Sequence, residues 1–305
     1  MLRIGLVADD LTGACDSALP FLAGGRVQVG LWPCVPAGDL ACAAVSTESR
    51  EAPVDVARER SRLGASRLGG ADLLYRKLDS MLRGHPLADL EGTLSVRPGV
   101  CVVAPALPGE GRLTVAGVQR WPGGEADLAA ILAPLGDRVQ IRDARNDEEL
   151  DRIASEVLAR PDGSAAGSAG LAAALARGAG LQGAPAAPPA GCSRPLALVG
   201  SPAAAAQAAF ARECGWAVWQ LAPGELPDLQ GHDGFLLTGG ETAARVLNAH
   251  GGQGLELLGE ALPRAPLARV LGGRLDRMPV VLKAGAFGGV DAIHRGLQAL
   301  SGRPA

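Results

Sequence analysis

Short apolar runs recur along the first half of the chain, and each ends in a polar or glycine-containing turn. The runs short enough to be buried strands lie at 4–8, 27–31, 43–47, 73–75 and 100–104, and residues 140–143 with the helix after them are predicted to form one further unit. Apolar residues at helical spacing follow at 54–63 and 148–158. Residues 164–176 are rich in small side chains and indicate a loop that leads into a helix. Short strands that alternate with helices predict an α/β fold on a parallel sheet.

The second half repeats this pattern after a proline-rich stretch. Apolar runs at 196–199, 235–237 and 280–282 again end in glycine-containing turns. Residues 180–194 contain several prolines and no periodic pattern, which is typical of a linker. We therefore expect two domains, at 1–180 and 195–305, with a linker at 181–194. Each domain is predicted to be a largely parallel sheet flanked by helices.

Two adjacent acids, Asp9 and Asp10, directly follow the first predicted strand. Thr12 and Gly13 come next in a tight turn, and Asp16 lies about one helical turn further on. In open α/β sheets, ligands bind outside the carboxyl ends of the strands, where such turns converge. Asp10 or Thr12 could instead simply cap the following helix. A cap does not require so many polar groups, so we expect Asp9, Asp10, Thr12 and Asp16 to form part of a ligand site.

The most highly charged motif follows the strand at 73–75 and reads RKLDSMLRG at 76–84. Lys77 and Arg83 supply positive charge, and an arginine can hold a carboxylate through two parallel hydrogen bonds. Asp79 and Ser80 can bind hydroxyl groups. Salt bridges within the segment are an alternative explanation, but exposed pairs of this kind contribute little to stability. The motif favours a small substrate with one carboxylate and several hydroxyls.

Two further polar loops are predicted at the same edge of the sheet. The run at 47–50, Thr-Glu-Ser-Arg, follows the third strand, and a proline- and glycine-containing loop at 107–112 follows the strand at 100–104. The first of these could equally be an ordinary exposed turn before a helix. Together with the acidic motif at 9–16 and the charged motif at 76–84, the loops place a candidate site on one consistent side of the sheet.

Three turns in the second half are candidates for phosphate binding. Glycine lets backbone amides approach phosphate oxygens, and the amino ends of helices favour negative charge. One glycine-containing turn after a strand is structurally ordinary, whereas three in one domain favour a nucleotide site. The chain has no P-loop pattern, and no dinucleotide-binding pattern follows its first strand. The predicted nucleotide-binding residues are Ser201, Thr238, Gly239, Gly240, Glu241, Thr242, Lys283, Gly285 and Gly288.

Composition adds one informative feature, the near absence of lysine. Of the 29 lysine and arginine residues, only Lys77 and Lys283 are lysines, and both lie in candidate motifs. A compact ammonium is not interchangeable with a guanidinium, so these two positions are candidates for function. The net charge of −3 indicates neither nucleic acid nor a membrane as a partner. The six cysteines have no metal-ligand spacing, and we expect a cytoplasmic protein with reduced thiols and no signal peptide.

Five motifs resemble those of the four-carbon acid sugar kinases, in the order found in that family. They are VADDLTGACD at 7–16, RKLDSMLRG at 76–84, GSAGL at 167–171, LTGGET at 237–242 and LKAGAFG at 282–288. The resemblance implies an amino-terminal sugar-acid domain, a carboxyl-terminal ATP domain and an active site in the cleft between them. It also implies transfer of phosphate from ATP, with Mg²⁺, to the terminal hydroxyl of threonate, erythronate or a 3-oxo-tetronate. A homodimer is a candidate assembly.

The resemblance also implies that Asp10, Lys77, Asp79 and Arg83 face the sugar acid, and that Ser201, the turn at 239–242 and Gly285 face ATP. Asp10 is the first choice for the base that accepts the alcohol proton, and Asp79 is the second. No metal-binding residue is predicted. The substrate-binding residues are predicted to be Asp9, Thr12, Asp16, Arg76, Lys77, Ser80 and Arg83.

The chain departs from the family pattern in three ways. It is shorter than expected, with contractions around 119–138 and 203–231. Met81 stands where the family usually has threonine, and a Gly-Val-Pro turn is missing around 262–266. The alternatives are therefore a kinase for another small hydroxy acid such as 4-hydroxythreonine, a sensor that binds a sugar acid and a nucleotide without chemistry, and a two-domain structural protein.

Overall fold

The computed structural model describes residues 2–160, 163–181, 183–188, 190–285 and 287–302. By packing, the chain divides into two compact units, Met1–Gly183 and Ala184–Ala305. The division falls within the predicted linker at 181–194, of which Gln182 and Pro189 lie outside the described residues. The two units are described separately below.

The first unit contains a parallel sheet and a small antiparallel one. Neighbouring strands of the parallel sheet follow the order β2-β3-β1-β4-β10-β5-β9. The small sheet has the order β6-β7-β8. The strands are β1 Ile4–Ala8, β2 Val27–Leu31, β3 Cys42–Ser46, β4 Leu73–Lys77, β5 Cys101–Ala104, β6 Leu113–Val115, β7 Val118–Trp121, β8 Gly124–Asp127, β9 Val139–Ile141 and β10 Ser164–Gly167.

The direction in which the chain adds strands reverses between β1 and β4. The strands β2 and β3 lie on one side of β1, whereas β4, β10, β5 and β9 lie on the other. The connections that follow β1 and β4 therefore lead to opposite sides of this point in the sheet. This reversal point is where doubly wound sheets bind ligands. The acidic motif at 9–16 follows β1, and the charged motif at 76–84 spans the end of β4 and the residues after it.

The main error in the predicted sheet concerns residues 164–167, which were expected to form a loop. They form β10, a fully buried strand between β4 and β5. Small residues are needed because the neighbouring strands approach closely: a Cβ on Gly167 would collide with the Ala104 carbonyl oxygen and lie 3.0 Å from the Tyr75 hydroxyl. Alanine and glycine have low strand propensity, so packing determines this strand.

Helices cover the parallel sheet, as the apolar patterns predicted. Leu78, Leu90 and Leu94 pack with Val103 in one apolar cluster, and Val7 and Leu74 belong to another. Burial on both faces explains why β1 and β4 are buried at every position. The helices are α1 Leu11–Ala18, α2 Val54–Arg67, α3 Pro86–Val96, α4 Leu128–Leu132, α5 Asp147–Leu158 and α6 Ala169–Gly178.

The second unit contains six described strands in the order β12-β11-β13-β16-β15-β14. The first four are mutually parallel, whereas β14 and β15 form an antiparallel hairpin that the apolar pattern did not predict. The strands are β11 Pro195–Val199, β12 Ala217–Gln220, β13 Gly234–Thr238, β14 Gly254–Leu262, β15 Ala265–Leu271 and β16 Pro279–Lys283, and the helices are α7 Ala205–Glu213, α8 Gly240–Ala249 and α9 Ala292–Ser301.

The α/β class and the largely parallel sheets are thus as predicted. Among the described residues, none of the helices has the length and apolar character that a membrane crossing requires.

Candidate active site

Two acids follow β1 and a lysine ends β4, and the pairing of these strands brings the three residues together. Ala8 is the register partner of Lys77, so Asp9 and Asp10 lie beside the residues that follow Lys77. Asp9 is 2% exposed and Lys77 is 6% exposed. Charged groups are rarely buried to this degree unless they are paired, so their partners determine what the site can do.

Arg50 is the residue that joins the acids. Its Nε and Nη2 donate to the two oxygens of Asp9 at 2.7 and 2.9 Å, and Nη2 also donates to Asp10 at 2.9 Å. The same Nη2 lies 3.7 Å from a carboxylate oxygen of Asp79. Planar guanidinium groups hold carboxylates in this two-bonded manner and so fix their orientation. Arg50 lies in the polar run at 47–50, but it was not predicted as a site residue.

Asp10 caps a helix, which is one of the two roles that the sequence left open. It is the N-cap of α1, where its Oδ1 accepts from the Gly13 amide at 3.0 Å. Its Oδ2 accepts from the Thr12 hydroxyl at 2.7 Å. Asp10 is part-buried, with a side chain 13% exposed, so it is the member of the Asp9–Asp10 pair that a ligand can reach more easily.

Asp79 organises its own loop. Its carboxylate accepts from the amides of Met81 and Arg83 at 3.0 and 3.3 Å. The Arg83 guanidinium adds two bonds, at 3.0 and 2.7 Å. The loop needs this support because Leu82 has a left-handed φ of 57°, which is costly for a residue other than glycine. Arg83 is therefore bound to Asp79 and is not an isolated anion receptor, although its side chain is 55% exposed.

Opposing effects act on the pKa values of the buried groups. Burial alone would raise the pKa of Asp9, but Arg50 and then Lys77 hold it below its ordinary value. Asp79 behaves in the same way, with Arg83, Lys77 and Arg50 lowering its pKa against burial. Burial lowers the pKa of Lys77, although the neighbouring acids oppose the shift. Both carboxylates are thus ionised at neutral pH.

Lys77 lies against the turn that follows Asp10. Its Nζ donates to the Leu78 carbonyl at 2.7 Å. A Cβ added to Gly13 would lie only 3.2 Å from this Nζ and would also clash with the Asp10 carboxylate. Glycine at this position therefore leaves the ammonium room beside the two acids. A compact ammonium fits this space, which gives a reason for lysine in a chain that otherwise uses arginine.

Ser80 is held by residues of the loop and small sheet that follow β5. Its hydroxyl accepts from Arg112, in the loop predicted to belong to the site, and its carbonyl accepts from the Gln119 amide at 2.8 Å. Ser80 is 5% exposed. Neither Arg112 nor Gln119 was predicted as a site residue, because their contacts join segments that are distant in sequence.

Arg76 is not brought to this cluster, which corrects its predicted role in substrate binding. Successive strand residues point to opposite faces of a sheet, so Arg76 and the adjacent Lys77 cannot share a face. Arg76 is fully buried; its Nη2 forms an ion pair with Asp89 at 2.7 Å, and its Nη1 donates to the Ser61 hydroxyl at 3.0 Å. Asp16 lies on α1, six residues after the cap, and is only partly buried.

The second unit brings its predicted turns to the carboxyl ends of three adjacent parallel strands, β11, β13 and β16. Gly239 has a φ of 89° and is the N-cap of α8, with no side-chain cap bond. Gly240, Glu241 and Thr242 form the first turn of this ten-residue helix, so its amino end is open to an anion. Thr238 is fully buried, and its hydroxyl is left without a hydrogen-bond partner.

Lys283 ends β16 beside these turns. Its Nζ donates to the carbonyls of Ala284 and Gly285 at 3.0 and 3.1 Å. Burial lowers its pKa to about 8. Within the described ranges, no carboxylate lies within ion-pair distance of this ammonium. Its positive charge is therefore available to an anion.

Close packing explains the small residues of these turns. A Cβ on Gly285 would clash with the Ser201 side chain, and a Cβ on Gly200 would clash with Thr242. Gly288 has a φ of 88°, and its carbonyl accepts from Gln207 at 3.2 Å. Ser201 precedes a short 3₁₀ turn, and its side chain makes no cap bond. The predicted nucleotide residues thus surround one group of strand ends.

The described residues contain no cluster of three or more histidine, cysteine or acidic side chains arranged to hold a metal ion. A Mg²⁺ ion that reacts together with a nucleotide does not need such a cage, because it is commonly held by the phosphates and water.

Family models match both halves of the chain. A model described as a sugar-binding N-terminal domain matches residues 4–121, and one described as a nucleotide-binding C-terminal domain matches residues 138–293. A D-threonate kinase from Cupriavidus necator is 31% identical, with 97% of each protein covered. The chain belongs to the four-carbon acid sugar kinase family. A second D-threonate kinase of this family, from Bordetella bronchiseptica, is 29% identical, with 98% of each protein covered.

A crystal structure of a Bordetella bronchiseptica protein, described as a domain of unknown function, is similar over 98% of each chain, at 27% identity and a TM-score of 0.52. That protein is a domain-swapped dimer with bound citrate. The alignment with the Cupriavidus kinase extends over 408 positions, whereas this chain has 305 residues. The chain is therefore a shortened member of the sugar kinase family.

The family models and the packing divide the chain differently. The nucleotide-binding model begins at residue 138, whereas the first compact unit extends to Gly183. The strands β9 and β10 and the helices α5 and α6 belong to the second family match but pack in the first unit. The reason is that β10 fills the position between β4 and β5.

Proposed function

We propose that this protein is an ATP-dependent kinase that phosphorylates the terminal hydroxyl of a four-carbon sugar acid. The observation that carries the proposal is the cluster of Asp9, Asp10, Lys77, Asp79 and Arg50 at the carboxyl ends of β1 and β4. Its buried acids and bases provide both hydroxyl acceptors and positive charge, as a hydroxylated carboxylate requires. The kinases named above provide the second support, because they act on D-threonate.

In the proposed mechanism, Asp10 accepts or orients the proton of the attacking hydroxyl. The Asp10 oxygens are positioned by Thr12, Gly13 and Arg50, so the carboxylate does not need to reorganise during the reaction. Asp79 is a poorer choice of base, because the Arg83 guanidinium binds both of its oxygens and its pKa is lowered strongly. A carboxylate within hydrogen-bond reach of an alcohol can assist phosphoryl transfer at neutral pH.

Lys77 and Arg83 are proposed to bind the carboxylate of the acid. Arg83 uses its Nε and Nη2 on Asp79, and a guanidinium has five N–H donors in all. Because the Arg83 side chain is half exposed, the remaining donors can face a ligand. The citrate bound by the Bordetella protein supports this part of the proposal, since citrate is also a hydroxylated carboxylate.

The residues at the ends of β11, β13 and β16 fit the triphosphate of ATP. They provide the open amino end of α8, the buried hydroxyl of Thr238 and the ammonium of Lys283. These groups would hold and neutralise the phosphates, which is the protein's main contribution to phosphoryl transfer. When bound, ATP with Mg²⁺ supplies the phosphoryl group and further charge neutralisation.

A homodimer is the proposed assembly, on the basis of the dimer formed by the Bordetella protein. Light scattering after size-exclusion chromatography tests this proposal. A mass of one chain at all concentrations would contradict it.

The function is tested by coupled ADP release with Mg²⁺ and ATP. The panel contains D- and L-threonate, D- and L-erythronate, 3-oxo-tetronates and 4-hydroxythreonine. We expect ADP release that depends on one of the four-carbon acids. Release with 4-hydroxythreonine alone would favour another hydroxy acid, and ATP binding without release on any compound would favour a sensor.

A further inference from the structure

The small sheet formed by β6, β7 and β8 is connected to the proposed substrate loop through one buried glutamine. Gln119, on β7, is fully buried. Its Nε2 donates to the Ser80 carbonyl at 2.8 Å and lies 3.4 Å from the Pro105 carbonyl oxygen. Its Oε1 accepts from the Thr114 hydroxyl at 2.6 Å. One amide group thus joins the loops that follow β4 and β5 to the small sheet.

The orientation of this amide follows from its partners. The carbonyls of Ser80 and Pro105 can only accept hydrogen bonds, so the NH₂ group must face them. The Thr114 hydroxyl can donate, so it pairs with Oε1. No other orientation satisfies all three partners, which makes Gln119 a specific connector and not simply a buried polar residue.

The small sheet is itself anchored to the first unit. Thr114 and Ala144 exchange backbone hydrogen bonds at 3.0 Å, and the amides of Ala116 and Gly117 donate to Asp143 at 2.6 and 3.0 Å. Leu128, at the start of α4, packs in the apolar cluster that also contains Leu78 and Leu82. The sheet can therefore serve as a rigid support for the loop that it contacts.

The supported loop is one that requires external contacts. It contains Leu82 and Gly84 with left-handed φ values of 57° and 81°. Asp79 stabilises the loop from within, as described above, but the carboxylate has to keep its position beside Arg50 at the same time. A conformation of this kind persists only where the surroundings determine it. Gln119 and Arg112 provide two such contacts, both to Ser80.

We propose that Gln119 is a positioning residue, which holds the 77–84 loop in the conformation that binds the sugar acid. The inference rests on the proposed function, and it assigns to the small sheet a role in recognition of the acid. Gln119 does not touch the reacting atoms. It acts through Ser80 on Asp79 and Arg83, and a displacement of about 1 Å in a substrate-positioning group can reduce activity about 100-fold.

The test compares steady-state kinetics of the wild type with those of Gln119→Met, which keeps the size of the side chain but leaves two carbonyls unpaired. We expect the KM for the acid to rise and kcat/KM for the acid to fall by about 10- to 100-fold, with the KM for ATP unchanged. Gln119→Asn is the second variant, because a shorter amide cannot reach all three partners and is expected to change the same constants in a folded protein.

Two controls separate positioning from general loss of structure. Thr114→Val removes the hydroxyl bond of the same amide but leaves the Ser80 and Pro105 carbonyls paired, so its effect is expected to be smaller. Gln140→Met removes the contacts of a strand glutamine with Arg142 and Arg160, away from the loop, and is expected to leave both KM values unchanged.

Amide hydrogen exchange gives a readout that does not depend on activity. We expect Gln119→Met to increase exchange within 78–84 and Gln140→Met to leave it unchanged. An unchanged KM for the acid together with unchanged exchange in a folded Gln119 variant would overturn the inference. A wild type inactive on every acid would overturn the proposed function instead, and the exchange experiment would still test the positioning role.

Discussion

The Arg50 guanidinium binds both oxygens of the buried Asp9 carboxylate, through Nε at 2.7 Å and Nη2 at 2.9 Å. The pair joins the loop that follows β3 to the end of β1. Because Arg50 also bonds to Asp10, the position of the proposed base depends on this pair. We therefore expect Arg50 to affect both the stability of the fold and the proposed catalysis.

Replacement of Arg50 by methionine is expected to lower the free energy of unfolding by about 3–5 kcal/mol at pH 7, because the buried Asp9 carboxylate loses both hydrogen bonds from its counter-ion. Arg50 holds the pKa of Asp9 below its ordinary value of 3.8, so the pair stabilises the fold above about pH 4. This stabilisation is lost as the pH falls through the lower pKa that Asp9 has in the folded state. Urea unfolding of both proteins from pH 7 to pH 3 measures the difference.

The matched control for this experiment is Arg58→Met, which removes an arginine from an exposed pair with Glu91. We expect it to change the unfolding free energy by less than about 1 kcal/mol. The wild type and Arg50→Met should differ less in their free energy of unfolding at pH 3 than at pH 7. An equal difference at both pH values would contradict the role given to Asp9.

Replacement of Asp10 by asparagine tests the base. Asparagine caps helices as well as aspartate does, so the thermal stability is expected to change little. Loss of the proton acceptor is expected to reduce kcat by about 10²- to 10⁴-fold. Asp127→Asn is the control, because Asp127 caps α4 through the amide of Ala130 at 2.8 Å without joining the site. Turnover of Asp10→Asn within a few fold of wild type would exclude Asp10 as the base.

Lys283 is expected to make ATP use dependent on pH. Its pKa of about 8 means that the ammonium loses its charge as the pH rises through 8, so kcat/KM for ATP is expected to fall above that pH. In Lys283→Arg the guanidinium stays charged, and this fall should disappear. The profile is measured from pH 6.5 to 9.5 with saturating acid. If kcat/KM for ATP falls in the same way in the wild type and in Lys283→Arg, the titrating group is not Lys283.

The buried pair of Arg76 and Asp89 is expected to be structural. Asp89→Leu leaves Arg76 buried and unpaired and is expected to cost about 3–5 kcal/mol, whereas the double variant Arg76→Met/Asp89→Leu should recover most of this loss. The double variant is also expected to keep the KM for the acid. Chemical denaturation and kinetics on the three proteins measure both effects. A raised KM for the acid in a stable double variant would indicate that Arg76 contributes to substrate binding after all.

The fold was predictable where apolar patterning alone determines structure. β1 and β2 have the predicted bounds, since short continuous apolar runs suit strands covered on both faces. The prediction of a loop at 164–167 was wrong. Ala165 and Gly167 lie in β10 because only small residues fit between the neighbouring strands, and not because the segment is strongly hydrophobic. The β14–β15 hairpin was missed because the predicted strands of both halves follow a parallel strand–helix pattern, and that pattern does not include an antiparallel pair.

The site was predictable where a motif is local. Asp9, Asp10 and Asp79 were predicted from two motifs that follow strands, and the parallel pairing of β1 with β4 brings these acids together. Arg50 was missed as their partner, since its contacts with Asp9 span 41 positions of sequence. The side on which Arg76 lies could have been inferred, because it is adjacent to Lys77 on the same strand and must point to the other face.

The most direct test of the proposed kinase activity is transfer of the labelled γ-phosphate of ATP to D-threonate, with the product identified by mass spectrometry. We expect the wild type to form a phosphate ester at the terminal hydroxyl and Asp10→Asn to form very little. Release of inorganic phosphate without a labelled acid, for D-threonate and for every other four-carbon acid tested, would contradict the proposal.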